Sequence, residues 1–185
     1  MIQNVYNDTN RKMESSIAIL QKELAGIRTG RASLALLDGI KVDYYGNPSP
    51  LTQVAILSVP DSRLISIQPW DTSLLPAIEK AILSSNLGLT PTNDGKIIRI
   101  SIPPLTEERR KELVKVVKKI AEDCKVAIRN VRRESMEHLK SLEKDKKISQ
   151  DDHKKANDEV QKITDKFIKR VDDITAKKDK EILEV

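Results

Sequence analysis

Three arginines and an asparagine stand together in the segment Arg129–Arg133, and no acidic residue interrupts them. A guanidinium group presents planar N–H donors that fit two phosphate oxygens at once, whereas an amide can bind a base edge or a sugar hydroxyl. An arginine-rich run of this kind is typical of contact with a phosphate backbone. We therefore take Arg129, Asn130, Arg132 and Arg133 as candidate nucleic-acid ligands.

The run belongs to a longer stretch, residues 106–146, in which apolar residues recur every three or four positions, as in an amphipathic helix. At about 100° per residue, seven basic residues fall within about 60° of the direction opposite to the apolar stripe. They are Lys111, Lys115, Lys118, Lys125, Arg129, Arg132 and Arg133, with Glu122 as the acid in that sector. The pattern predicts a cationic ridge that binds phosphates with salt-sensitive affinity.

A charge-rich helix can also be a solvated surface, and for any single lysine of the ridge that alternative stays open. Aromatic residues make up only 3% of the chain, which argues against a platform that stacks single-stranded bases. We interpret Tyr44 and Tyr45 as strand-packing residues. A folded RNA, recognised by its shape and backbone, fits the ridge better.

Residues for catalysis or metal binding are few. The two histidines, His138 and His153, have no cysteine or acid at ligand spacing, and we interpret them as core or surface residues, with His138 on the apolar side of its helix. The single cysteine, Cys124, falls on the apolar stripe as a small core residue. The motifs GxxxxGK[ST], GxGxxG and GxSxG are absent. We predict a protein that is not an enzyme and needs no metal or cofactor.

Targeting signals are also missing from the sequence. A lone cysteine excludes a disulfide framework, and no apolar run reaches the roughly 18 residues of a membrane span. The N-terminal residues lack the basic and apolar regions of a secretory signal. We expect a soluble cytoplasmic protein that does not contact membranes.

The ridge must be positioned by long helices. Residues 2–30 show a helical apolar repeat with Gly30 as its stop, and a second helix follows Pro103 and Pro104 and runs to about Lys146. Ser149 with Asp152 forms a near capping box that opens a third helix. Because the link between the second and third helices is short, the two should be antiparallel neighbours. These helices predict a three-helix bundle.

The middle of the chain differs in composition, because residues 31–105 carry six basic and six acidic residues while residues 106–185 carry 23 and 19. The pattern of apolar and turn-forming residues in this region predicts strands at 40–44, 54–57, 64–67 and 96–102, a helix from about residue 71 to 88, and turns at 46–50 and 93–95. The expected class is α+β: a bundle domain of 1–30 and 105–185 with an inserted small domain at 31–104. Two adjacent connections form the expected hinge, at Gly30, Arg31, Pro103, Pro104 and Leu105.

Four segments together resemble the bacterial ribosome recycling factor family, and the resemblance covers the whole chain in length and order. They are IRTGRAS at Ile27–Ser33, VDYYG at Val42–Gly46, PPLTEERRK at Pro103–Lys111 and VAIRNVRR at Val126–Arg133. The long strings PPLTEERRK and RNVRR are specific. The resemblance implies an L-shaped, tRNA-like outline for the bundle and the small domain.

The resemblance also implies a function that the residues alone do not reach. Such a factor binds the post-termination ribosome through the 23S rRNA of the 50S subunit. With elongation factor G and GTP, it splits the subunits and frees messenger RNA, acting as a monomer without chemistry of its own. The resemblance assigns six arginines to the ribosomal RNA surface: Arg28, Arg31, Arg110, Arg129, Arg132 and Arg133.

Two other functions remain open from the residues. A coiled-coil adaptor whose bundle binds protein helices would associate with partners independently of salt and would not sediment with ribosomes. An RNA-processing enzyme would need a metal or general-base site, which the sequence does not offer.

Overall fold

The computed structural model describes residues 1–184, and these form two compact units. One unit comprises Met1–Arg28 and Glu107–Glu184, and the other comprises Thr29–Thr106. The chain therefore passes between units after Arg28 and after Thr106. In chain order the elements are α1 (Ile2–Ala25), β1 (Lys41–Tyr44), β2 (Asn47–Pro50), α2 (Leu51–Val54), β3 (Ala55–Asp61), β4 (Leu64–Pro69), α3 (Leu75–Ser84), β5 (Pro91–Asn93), β6 (Ile98–Ser101), α4 (Glu107–Lys144) and α5 (Gln150–Leu183).

Helices α1, α4 and α5 form the first unit, a bundle in which α4 packs against both of the others. At 1.5 Å per residue, the 38 residues of α4 span about 57 Å. A helix of that length in water depends on tertiary packing of its apolar face. Its buried residues recur at helical spacing: Leu113, Val117, Ala121, Cys124, Ile128, Ser135, Leu139 and Leu142. The α+β class, with its three-helix bundle, is confirmed.

The structure corrects two details of the bundle. Helix α1 ends at Ala25 with Gly26 as its C-cap, so the predicted stop at Gly30 lies in the connection, where Gly30 adopts a φ of 76°. On α4, His138 is exposed and Leu139 is buried in its place. Because α4 packs against two helices, the centre of its buried stripe lies at a different angle around the helix axis from the centre predicted for packing on a single face.

Helix α5 begins with the capping box that the sequence predicts. The Ser149 hydroxyl accepts a hydrogen bond from the Asp152 backbone N–H at 3.0 Å, and the Asp152 carboxylate accepts one from the Ser149 N–H at 3.3 Å. Hydrogen bonds from Ser149 lower the pKa of Asp152. This box satisfies two backbone N–H groups at the start of α5, just after the connection from α4.

The second unit contains a four-stranded antiparallel sheet in the order β3-β4-β6-β5 and a separate hairpin, β1-β2. Alternate residues of the central strands are fully buried, including Ile65, Ile67, Ile98 and Ile100. They belong to one core cluster with the inner residues of α3, among them Ile78. The period-two pattern seen in the sequence thus marks the inward face of this sheet.

The predicted turn at residues 46–50 is wrong for most of its length. The turn is Tyr45–Gly46, with φ values of 49° and 82°, and Asn47–Pro50 is strand β2, paired with β1. Prolines 48 and 50 are tolerated because β2 is an edge strand. The predicted strand at 54–57 starts one residue later, after the single turn of α2, and the short strand β5 was not predicted.

We expect Ser149→Ala to lower the free energy of unfolding of the bundle by about 1 kcal/mol, because it removes the hydroxyl that caps α5. Urea denaturation followed by circular dichroism measures this change. Ser141→Ala, at an exposed position inside α4, is the matched control and should be neutral or slightly stabilising. Equal effects of the two substitutions would contradict the capping role.

Candidate nucleic-acid interface on helix α4

Helix α4 carries basic and acidic residues on different flanks of its buried stripe. At about 100° per residue, Lys118, Lys125 and Arg132 lie about 60–100° to one side of the stripe, whereas Asp123 and Glu134 lie about 100–120° to the other. The contacts agree with this division. Lys125 reaches α5, and Glu134 accepts an ion pair from Lys12 of α1 at 2.9 Å.

We call Lys118, Lys125 and Arg132 the inner row, because their seven-residue spacing keeps them beside α5. Helix α5 carries three acidic residues at the same seven-residue spacing: Asp165, Asp172 and Asp179. Antiparallel helices with matching seven-residue repeats hold such rows in register. Lys125 Nζ lies 2.6 Å from Asp172 Oδ1, and only 21% of the Lys125 side chain is exposed.

Burial dominates the electrostatics at one end of the inner row. It raises the pKa of Asp179, and the nearby Lys118 charge lowers it by less. The Asp179 Oδ1 atom is buried without a hydrogen-bond partner in the described part of the chain. The carboxylate is therefore held where its charged form is poorly solvated.

Arg132, at the other end of the inner row, has no direct ion pair among residues 1–184. Its Nη1 donates to Gln161 Oε1 at 3.0 Å, and Gln161 Nε2 donates to Asp165 Oδ1 at 2.8 Å. The Arg132 Nε atom is buried and has no hydrogen-bond partner in the described part of the chain. A buried donor without a partner carries a desolvation penalty that lowers stability.

A second set of basic residues, the outer row, lies further from the stripe, at about 120–160°. It consists of Lys111, Lys115, Arg129, Arg133 and Lys140, and Lys111 pairs with Glu107 on the same helix at 2.9 Å. Arg129 Nη1 lies 3.0 Å from Glu122 Oε1 on the same helix. Arg133 is exposed and makes no ion pair within the described residues. The predicted ridge is therefore two rows: the inner row faces acids of α5, and the outer row faces solvent.

The remaining predicted ligands do not all join this surface. Arg110 donates to the Leu183 carbonyl at 3.4 Å, where α5 ends, and its Nε is buried with no partner among residues 1–184. Asn130 is exposed, but on the wheel it lies about 100° from Arg129, towards the acidic flank. Arg28 and Arg31 are exposed and belong to different units. The structure thus groups Arg129, Arg132 and Arg133 on one side of α4.

The other side chains to consider are the histidines, the cysteine and the acids that could ligate a metal ion. Within residues 1–184 no group of three or more histidines, cysteines and acids is arranged to hold a metal ion. His153 is engaged by Glu143 and by the Asn157 amide at 3.1 Å, and Cys124 is buried, which raises the pKa of its thiol. None of the helices described here is both long and apolar enough to cross a bilayer.

Gln161 and the acids of α5 are the residues that the sequence-based prediction missed. The signal was available, because Asp158, Asp165, Asp172 and Asp179 recur at intervals of seven. That repeat becomes informative only with the antiparallel register, which sets each acid against a particular residue of α4.

Comparisons with known proteins agree with one another. A family model described as "Ribosome recycling factor" matches residues 20–183. A ribosome-recycling factor from Desulfatibacillum aliphaticivorans is 59% identical over all of both chains, and one from Oleidesulfovibrio alaskensis is 60% identical over 96% of this chain and 97% of its own.

Solved structures give the same likeness. The solution structure of a ribosome recycling factor matches with a TM-score of 0.76 and 43% identity, covering 100% of this chain and 98% of the other. A second match concerns the T. thermophilus ribosome recycling factor and E. coli elongation factor G bound to the E. coli post-termination complex. It has a TM-score of 0.65 and 50% identity, over 99% of each chain.

We expect Asp179→Asn to raise the melting temperature of the bundle at pH 7 by about 1–2 °C, a small effect for a chain of this size. The raised pKa of Asp179 means that its charge opposes folding at pH 7, and this penalty disappears as the pH falls below 3.8, where the carboxyl is protonated in both states. Thermal melts from pH 7 to pH 3 measure the difference. Asp158→Asn, exposed in the same repeat, is the control, and a lower melting temperature for Asp179→Asn at pH 7 would contradict the argument.

Proposed function

This chain belongs to the ribosome recycling factor family, and we propose that it binds the ribosome after termination and, with elongation factor G, splits the subunits and releases messenger RNA. The observation that carries the proposal is its 50% identity, over 99% of each chain, to a factor described as bound with elongation factor G to a post-termination complex. The family relation spans nearly the whole chain, so it includes both units.

The binding surface that we propose is the basic side of α4. The partner is the 23S rRNA of the 50S subunit, a folded polyanion that this side would meet through phosphates. Arg133 is exposed and unpaired within residues 1–184, and Arg129 shares its charge only with Glu122 on the same helix. These two arginines reach phosphates at the lowest cost, since no contact between helices has to break first.

The role that we propose for this chain is mechanical. GTP hydrolysis belongs to elongation factor G, and this chain contributes binding and rigidity as a monomer in the cytoplasm. A 38-residue helix packed along its length against two others supports a stiff rod. We include Arg28, Arg31 and Arg110 in the proposed ribosome contact because the family resemblance assigns them there.

A hinge completes the proposed mechanism. The two connections run through Gly30 and Arg31 and through Pro103, Pro104 and Leu105, close to where the chain passes between units. Gly30 has a φ of 76°, a conformation that favours glycine. Motion at these segments would let the small unit move when elongation factor G pushes on it.

We expect Arg133→Ala and Arg129→Ala each to weaken binding to purified 50S subunits by about three- to tenfold and to reduce the slope of log affinity against log salt by about one. Co-sedimentation over a range of salt concentrations measures both quantities. Arg11→Ala is the matched control, because Arg11 is an exposed arginine of α1 paired with Asp8.

Wild-type affinity in both α4 variants would overturn the assigned RNA surface. Binding that does not respond to salt would instead favour a protein-binding adaptor. Turnover of RNA by the purified chain would favour an RNA-processing enzyme.

The hinge predicts a broad distribution of distances between the units. Fluorescent labels on cysteines at Lys140 and Thr92, with Cys124 replaced by alanine, report the distance between units by single-molecule energy transfer. Labels at Lys111 and Lys140 on α4, about 43 Å apart along the axis, are the rigid control. We expect a wider distribution for the first pair, and equal widths would contradict the hinge.

A further inference from the structure

We propose that Gln161 is a positioning residue that keeps the Arg132 guanidinium available for a phosphate by standing between it and Asp165. The inference rests on the proposed function, because it assumes that Arg132 contacts ribosomal RNA. It goes further by assigning a role to a residue of α5 outside the cationic rows.

The register of the two helices makes Arg132 the exception in its row. Lys125 pairs with Asp172 at 2.6 Å, and Lys118 lies near Asp179. One heptad further on, the same antiparallel register brings Arg132 to Asp165. Arg132 instead donates to Gln161, one turn away on α5, so the direct ion pair expected from the register is not made.

An amide fits between a guanidinium and a carboxylate because it can accept one hydrogen bond and donate another at the same time. Gln161 Oε1 accepts from Arg132 at 3.0 Å, and Gln161 Nε2 donates to Asp165 at 2.8 Å. The orientation of the amide follows from its neighbours, since arginine only donates and a carboxylate only accepts. Asp165 is thereby satisfied by a neutral group, and Arg132 is oriented without having its charge neutralised.

The guanidinium keeps unused donors. Its Nη1 donates to Gln161, and its Nε is buried and closed to a ligand, so Nη2, which makes no hydrogen bond within residues 1–184, is the nitrogen left for a phosphate. A phosphate binds best to two guanidinium N–H groups that are already oriented. Lys125, by contrast, is neutralised by Asp172, so we assign it to the packing of α4 on α5.

The test measures the affinity of the full chain for purified 50S subunits as a function of salt. We expect Gln161→Glu to weaken binding about tenfold and to reduce the salt slope by about one, because the new carboxylate pairs with Arg132. The melting temperature should stay close to that of the wild type, because the new ion pair with Arg132 offsets the lost hydrogen bond to Asp165 and the repulsion between the two carboxylates. Gln150→Glu, the same exchange at an exposed position of α5, is the control and should bind like the wild type.

A double-mutant cycle separates positioning from general repulsion. In an Arg132→Ala background, Gln161→Glu should cause no further loss, whereas repulsion between the new carboxylate and RNA would still weaken binding and would overturn the proposal. Gln161→Ala should also weaken binding, because Arg132 can then pair with Asp165. Adding Asp165→Asn should restore most of that loss.

The outcomes distinguish this inference from the function on which it rests. If Arg132→Ala binds like the wild type, the assigned contact of Arg132 with RNA fails. If Arg132→Ala weakens binding but Gln161→Glu and Gln161→Ala do not, the RNA contact stands and the role of Gln161 is overturned. Failure of Asp165→Asn to rescue Gln161→Ala would likewise contradict it.

Discussion

Most features of the bundle follow from the packing of one long helix, α4, between two others. Helix α4 has 38 residues and a single apolar stripe, and most of the stability of such a helix comes from burying that stripe. Because α1 and α5 share the stripe, each flank of α4 borders a different helix. The position of a charged residue around α4 therefore decides whether it meets α1, α5 or solvent.

This division gives residues of the same type different tasks. Lys125 is drawn into an ion pair with Asp172, whereas Arg133, eight positions further on, stays exposed. Exposed ion pairs contribute little to stability, but a row at seven-residue spacing stays beside the same neighbouring helix along the length of α4. Some basic residues of the bundle therefore help to hold its helices together, whereas others remain exposed and can bind a polyanion.

The small unit is organised by local hydrogen bonds instead. Its β5-β6 turn is held by Asp94, whose carboxylate accepts from the backbone N–H groups of Ile97 and Lys96 and from Arg99, which lowers its pKa to about 2. Its sheet buries alternate isoleucines against α3. A unit built this way has its own core, and only two chain segments join it to the bundle.

The spacing of nearby residues was enough to predict the three helices, the capping box at Ser149, the central strands and the arginine-rich run. It could not determine the partners of individual charges. Adjacency in one run placed Arg132 and Asn130 with the other ligands, but only the packing of α5 showed that Arg132 is held by Gln161. The same limit explains the exposed His138 and strand β2. Which residues meet across helices or strands depends on register, and register is fixed by the tertiary fold.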